Sequence, residues 1–248
     1  MTTRKNHLGQ PIGAPLENWT PPPLPPRVVL TGRVCRLEPL DASRHARDLF
    51  AANSLDAEGR QWTYLPYGPF EAYEPYRAWV AHIAAQPDPM FYAIIPADSG
   101  KAAGVASLMR IDPKAGSIEV GHIKYSPLLQ QHSAATKAMY LLMKHAFELG
   151  YRRYEWKCDS LNEPSRRAAL RLGFQYEGRF RQATSYKGRN RDTDWFSILD
   201  SEWPRVRAAF ERWLEPGNFD GDGRQRERLG AARRAGREFE RLGRVVTD

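Results

Sequence analysis

Residues 117–126 read SIEVGHIKYS, residues 127–133 PLLQQHS, residues 134–150 AATKAMYLLMKHAFELG, residues 152–159 RRYEWKCD and residues 162–174 NEPSRRAALRLGF. The order is strand, Gln-rich loop, long helix, strand, second helix. Within RRYEWKCD, Tyr154, Trp156 and Cys158 alternate with Arg153, Glu155, Lys157 and Asp159, the period of a half-buried strand. The preceding helix repeats Ala135, Ala138, Leu142, Ala146 and Leu149 on one face, and Gly150 follows as a C′ glycine would. One strand therefore delivers a loop of small residues to a helix N-terminus, and a second strand follows after one crossover length. Such a helix start presents backbone N–H groups and a favourable dipole to an anion. Neither GxxxxGK[ST] nor GxGxxG occurs in the chain.

Outward from this segment, residues 28–40 (VVLTGRVCRLEPL) are strand-like, and Asp41 or Ser43 can cap the next helix, with Ala46, Leu49, Phe50 and Asn53 on one side. An aromatic loop containing Trp62, Tyr64, Tyr67 and Phe70 precedes a helix bearing Tyr73, Tyr76, Val80, Ile83 and Ala84. Two strands, MFYAIIPA and GVASLMRI, are joined by a polar turn. After the central segment, residues 174–200 read as a hairpin turning near Lys187 and Asn190, and residues 201–214 as a helix with Pro204 in its first turn.

Three regions are expected: an extended Pro-rich arm over residues 1–27, with Trp19 as its anchor; a folded domain over 28–216; and an Arg-rich tail over 217–248. In the tail Leu229, Ala232, Phe239 and Leu242 are loosely periodic. It reads as a frayed amphipathic helix docking on the body or on a second copy in a homodimer, with a disordered tail as the alternative.

Hydrophobic residues make up 42% of the 248, enough for a sizeable core, and no run of ~18 apolar residues suggests a membrane span. Cys35 and Cys158 read as two buried thiols in a reducing, cytoplasmic setting, and no Cys/His spacing suits a metal. The net charge of +8 is spread along the chain beside acids, which speaks against a nucleic-acid partner. The concentrated stretch is Arg179, Arg181, Lys187, Arg189 and Arg191, either a solvated hairpin or a site for an anionic acceptor.

The central segment resembles the GNAT superfamily of acyl-CoA N-acyltransferases, in the branch of ribosomal-protein-alanine acetyltransferases. The residues that carry the resemblance are Gln130-x-x-Ser133-x-Ala135, matching the family's Q/R-x-x-G-x-G/A loop; Glu119-Val120-Gly121-His122; and Asn162-x-x-Ser165 running to Gly173-Phe174. The resemblance implies an α+β fold with a mixed, mostly antiparallel sheet of about seven strands, splayed between the fourth and fifth. It implies transfer of an acetyl or other acyl group from acyl-CoA to a primary amine. The acceptor would be a small amine, an aminoacyl compound or a protein N-terminus, and no metal is needed.

It also implies that the backbone near His122, Ile123 and Lys124 pairs with the pantetheine arm. N–H groups of the loop Gln130, Gln131, His132, Ser133, Ala134, Ala135 and Thr136 would cradle the pyrophosphate, with Ser133 adopting the nest without glycine's freedom. Asn162 would bond the pantetheine, and Ser165 would lie near the thioester sulfur as the candidate acid. Glu119 is the first candidate base and His122 the second. Three residues apart on a regular strand, they face opposite sides, and a bulge, usual in the family here, would bring them together. Many relatives carry a thiolate-protonating tyrosine seven residues after the asparagine; here that position is Ala169. The alternative is a catalytically impaired protein of the same fold that contacts CoA, RNA or the ribosome.

Overall fold

The computed structural model describes residues 4–229. A small exposed hairpin, β1 (Arg4–Lys5) with β2 (Pro11–Ile12), stands apart at the N-terminus. Next come β3 (Leu30–Thr31), β4 (Cys35–Pro39), α1 (Ala42–Asn53), α2 (Tyr73–Ala84), β5 (Met90–Pro96), β6 (Gly104–Asp112) and β7 (Ser117–Tyr125). After these are α3 (Ser133–Glu148), β8 (Arg153–Asp159), α4 (Glu163–Arg171), β9 (Gln175–Tyr186), β10 (Arg189–Leu199) and α5 (Trp203–Trp213).

The eight strands from β3 onward form one sheet in the order β3-β4-β5-β6-β7-β8-β10-β9. All neighbours are antiparallel except β7 and β8, which are parallel because α3 carries the chain back over one face between them. The sheet has one strand more than the sequence suggested. The turn at Gly32, whose N–H donates to Cys35 O, splits the first strand-like run into β3 and β4.

Each face of the sheet has its own core. On one, α3, α4 and α5 cover Leu37, Tyr92, Leu108, Val120, Tyr154, Trp156 and Phe196. On the other, α1, α2 and the loop between them cover Phe91, Ala93, Ile95 and Val105, with Trp62, Tyr76 and Val80 buried there. Local signals position the helices. Asp41 caps α1 by accepting from Arg44 N–H at 2.9 Å, and α3 closes on Gly150 at φ +97°. Both cysteines are free, buried thiols.

The arm is tied to the body beyond its hairpin. Trp19 Nε1 donates to Gly150 O at 3.4 Å, Arg152 lies over the Trp19 ring, and Tyr151 Oη donates to Pro23 O at 3.1 Å. At the other end, residues 216–229 form a short turn and an isolated bridge between Phe219 and Gln225, with Leu229 buried. The expected amphipathic run through Ala232, Phe239 and Leu242 lies outside the described residues. No described helix is long and apolar enough to cross a membrane.

Candidate active site

Strand β7 changes character halfway along. From Ser117 to Val120 it pairs with β8, in register from Ser117 opposite Arg153 to Val120 opposite Trp156. Beyond Val120 this pairing stops, so the β8-facing backbone edge of residues 121–125 is left open while β6 still holds the other edge. Against β6 the register shifts between Ser107 opposite Gly121 and Val105 opposite Lys124, which puts two β7 residues across from Ala106. His122 sits in this bulge at φ +50°, a left-handed conformation uncommon for a residue with a side chain. Gly121 leaves room for the Met109 side chain: a Cβ there would meet Met109 Sδ at 2.3 Å, and the methionine would have to swing aside.

Because of the bulge, Glu119 and His122 border the same cavity, of 610 Å³. Its walls come from β7, from Trp156 to Asp159 on β8, from Asn162 and Ser165, from the β9–β10 hairpin and from Tyr64, Leu65 and Pro66. Glu119 is 3% exposed and held by two cations. Arg110 donates to its carboxylate at 2.8 and 2.9 Å, and Lys157 Nζ lies 2.9 Å away. Burial pushes the Glu119 carboxyl up, against the pull of Arg110 and Lys157. Lys157 also pairs with Glu155 at 2.8 Å and lies 3.7 Å from the Trp195 ring centroid.

His122 packs against Phe91 and Tyr67, with Tyr67 Oη and His122 Nδ1 3.0 Å apart. Burial, then the charges of Arg110 and Arg191, bring its pKa down to about 4, so the imidazole is neutral near pH 7. Ser165 Oγ accepts from Trp156 Nε1 at 3.0 Å, and burial pushes the Cys158 thiol up to about 12, against the pull of Ser165. Asn162 caps α4, its Oδ1 accepting from Ser165 N–H at 3.2 Å, which leaves the Nδ2 donors for a ligand. Ala169 is fully buried in the core.

Ile123 lines the cavity, whereas the Lys124 side chain turns away from it. Lys124 Nζ donates to Asn53 Oδ1 at 2.7 Å and Gln61 Oε1 at 3.2 Å over the Trp62 ring, and burial lowers its pKa to about 8. Only its backbone can serve a ligand in the wedge.

Residues 130–136 lie past the open end of β7 and do not border the cavity. The left-handed residue there is Gln131, at φ +58°, while Ser133 is the first residue of α3 and needs no glycine freedom. Gln130 N–H donates to Ser126 O, His132 N–H to Leu129 O and Ala135 N–H to His132 O. Ala134 N–H is also taken, by His132 Nδ1 at 3.1 Å, while His132 Nε2 lies 3.0 Å from Asp98. Among the described residues outside the body of α3, the N–H groups of Gln131 and Ser133 make no backbone bond, which makes them the first members of the expected cradle, with whatever His132 can release. Arg171, which donates to Thr136 Oγ1 at 3.1 Å, adds a cation at this helix start.

The basic hairpin is not a five-charge patch. Arg179 is bound to the buried Asp194, Lys187 donates to Trp62 O and Arg189 to Thr63 O. Of the five, Arg191 alone borders the cavity. Sequence reading passed over Arg110, Lys157 and Tyr186 as site residues. Alternation along RRYEWKCD does put Lys157 on the face opposite Trp156. Its approach to Glu119 depends on parallel pairing, which no local pattern displays.

A family model described as acetyltransferase (GNAT) domain matches residues 35–175. A GCN5-related N-acetyltransferase from Brucella melitensis is 49% identical, covering 86% of this chain and 97% of its own, with a TM-score of 0.84. A probable GNAT-family acetyltransferase from Chromobacterium violaceum is 44% identical over 79% of this chain and 98% of its own, with a TM-score of 0.73. A ribosomal-protein α-N-acetyltransferase in complex with coenzyme A, 22% identical, shares the fold over 69% of this chain and 98% of its own, with a TM-score of 0.59. No curated protein sequence matches the chain.

Proposed function

As the chain belongs to the GNAT acetyltransferase family, we propose that it moves an acetyl or other acyl group from acyl-coenzyme A to a primary amine within a ternary complex. The observation that carries this reading is the loss of β7–β8 pairing after Val120, beside a cavity holding Glu119, His122 and Ser165. The wedge offers unpaired backbone groups to the pantetheine arm, chiefly at Ile123 and Lys124, with the Asn162 carboxamide across from them. The free N–H groups of Gln131 and Ser133 at the start of α3 suit the pyrophosphate. The coenzyme A complex of the structurally similar ribosomal-protein acetyltransferase supports the same cosubstrate here.

The amine nitrogen bonds to the thioester carbonyl carbon, the C–S bond breaks, and the amine's proton leaves to a base. A backbone N–H of β7 stabilises charge developing on the carbonyl oxygen. Glu119 takes the proton, directly or through water; burial raises its basicity while Arg110 and Lys157 keep it placed. Neutral His122 stands second in this role. The departing thiolate is protonated by Ser165 or by water, since Ala169 supplies no hydroxyl. Fixing amine and carbonyl in one cavity contributes much of the acceleration.

Resemblance to the ribosomal-protein-alanine branch puts protein N-termini beside small amines and aminoacyl compounds as acceptors. A CoA-release screen across these three classes, with calorimetric titration of CoA, tests the proposal. CoA binding and release with at least one class are expected; no CoA binding would overturn the cofactor assignment. The absent hydroxyl at Ala169 favours one other reading, a binding protein without turnover, and CoA bound with no release from any amine would select it.

A further inference from the structure

Among the described residues, three cations line the cavity: Arg110, Lys157 and Arg191. The first two share Glu119, and Lys157 also has Glu155. Arg191 differs. It is half-buried, its Nε donates to Thr193 Oγ1 at 3.2 Å, its guanidinium lies 5.9 Å from the Tyr186 ring centroid, and no described carboxylate is within ion-pair distance. Asp159, the remaining acid of the lining, already accepts from Tyr186 Oη at 2.6 Å and Leu161 N–H at 2.9 Å.

Arg191 borders this space beside a strand bulge. Arg191 pairs with Thr184, but two residues on Thr193 pairs with Phe180, so β9 bulges at residues 181–183 with Gln182 at φ +48°. Gln182 N–H and Asn190 Nδ2 fix the bulge by donating to Asp192 Oδ1. The charge of Arg191 is felt at His122 on β7 and at Cys158 on the neighbouring β8. A partly desolvated guanidinium without a counter-ion is costly, and a planar carboxylate offers it two parallel hydrogen bonds.

We propose that Arg191 is the specificity-determining residue of the acceptor cavity and binds a carboxylate carried by the substrate. This rests on the acyltransferase reading and gives it a substrate class: amino-acid-like amines, or an acyl group with its own terminal carboxylate. Arg110 and Lys157 are paired with Glu119 and Glu155, which leaves Arg191 as the cation of the lining with no described ion-pair partner.

The test has two arms. With acetyl-CoA, a panel of L-α-amino acids is compared with the matching carboxamides by kcat/KM. With the carboxamides as acceptors, succinyl-CoA is compared with acetyl-CoA. We expect the carboxylate form to be preferred by roughly ten- to hundred-fold in one arm, which identifies its source. The preference should vanish in Arg191→Gln and persist in part in Arg191→Lys, with CoA affinity unchanged by calorimetry in both. Equal kcat/KM in both arms, or a preference that survives Arg191→Gln, overturns the inference while leaving acyl transfer intact. If no amine turns over, the acyltransferase reading fails, and titration of N-acetyl amino acids and their amides into the CoA-loaded protein decides. Tighter carboxylate binding lost in Arg191→Gln supports the inference; equal affinity overturns it.

Discussion

The two halves of β7 share one strand and differ in pairing. From Ser117 to Val120 the strand has a partner on each edge, although β6 bulges at Arg110 and Ile111 opposite Ile118; Ile118 and Val120 fill the core, and Glu119 is locked between Arg110 and Lys157. Over residues 121–125 one edge is open, the strand bulges at His122, and the chain continues into the start of α3. A sheet can thus hold a charged group where it has a neighbour on both edges and offer its backbone to a ligand where one neighbour is missing. The paired half supplies side-chain chemistry, and the open half supplies recognition.

The sharpest way to break this division is Glu119→Gln, which keeps the shape and removes the basic oxygen. We expect kcat to fall by about 100-fold or more in steady-state CoA release, with CoA affinity unchanged. Unaltered turnover across pH would remove chemistry from the paired half. Next in size is Ser133→Pro. Proline is tolerated at the first position of a helix, and His132 before it already has the extended ψ of 143° that a pre-proline residue prefers, so the change deletes one N–H with little else. CoA affinity should weaken by roughly ten-fold in calorimetric titration, while Ser133→Ala should bind normally.

A smaller effect sharpens the bulge. His122 has a folded pKa near 4 against an ordinary 6.5, so between these values the unfolded chain binds the extra proton. Its contribution to stability is therefore complete above pH 6.5 and is lost as pH falls through that window toward 4. Denaturant midpoints from pH 7 to 4 should fall less steeply for His122→Gln than for the unsubstituted protein. If His122 takes the amine's proton, the acid limb of kcat/KM from this group should sit near 4; a limb near 6.5 would mean the imidazole is solvated. The smallest change is Trp19→Ala, remote from both halves. It should cost about 1 kcal/mol and lower Tm by roughly 2–4 °C, with kcat unchanged.

Much of the scaffold was legible locally. Period-2 alternation marked β8, period-3.6 repeats marked α1, α2 and α3, Asp41 and Gly150 bounded their helices, and the Lys187-Gly188 turn joined the hairpin. The family loop pointed to the start of α3, yet which N–H groups stay free depended on His132 folding back onto Ala134 N–H. The run Arg179 to Arg191 looked like one basic patch because its partners, Asp194, Trp62 O and Thr63 O, lie on other segments or beyond its end.

By itself the sequence determined the order of strands and helices and the identity of the groups along β7, since caps, turns and periodicity act over a few residues. Tertiary structure decided what those groups became. Burial and neighbours set the basicity of Glu119 and His122, the bulge turned both toward one cavity, and cross-sheet partners left Arg191 without a counter-ion among the described residues. Electrostatics and strand register act between residues far apart in the chain, so they exist only once the sheet has formed.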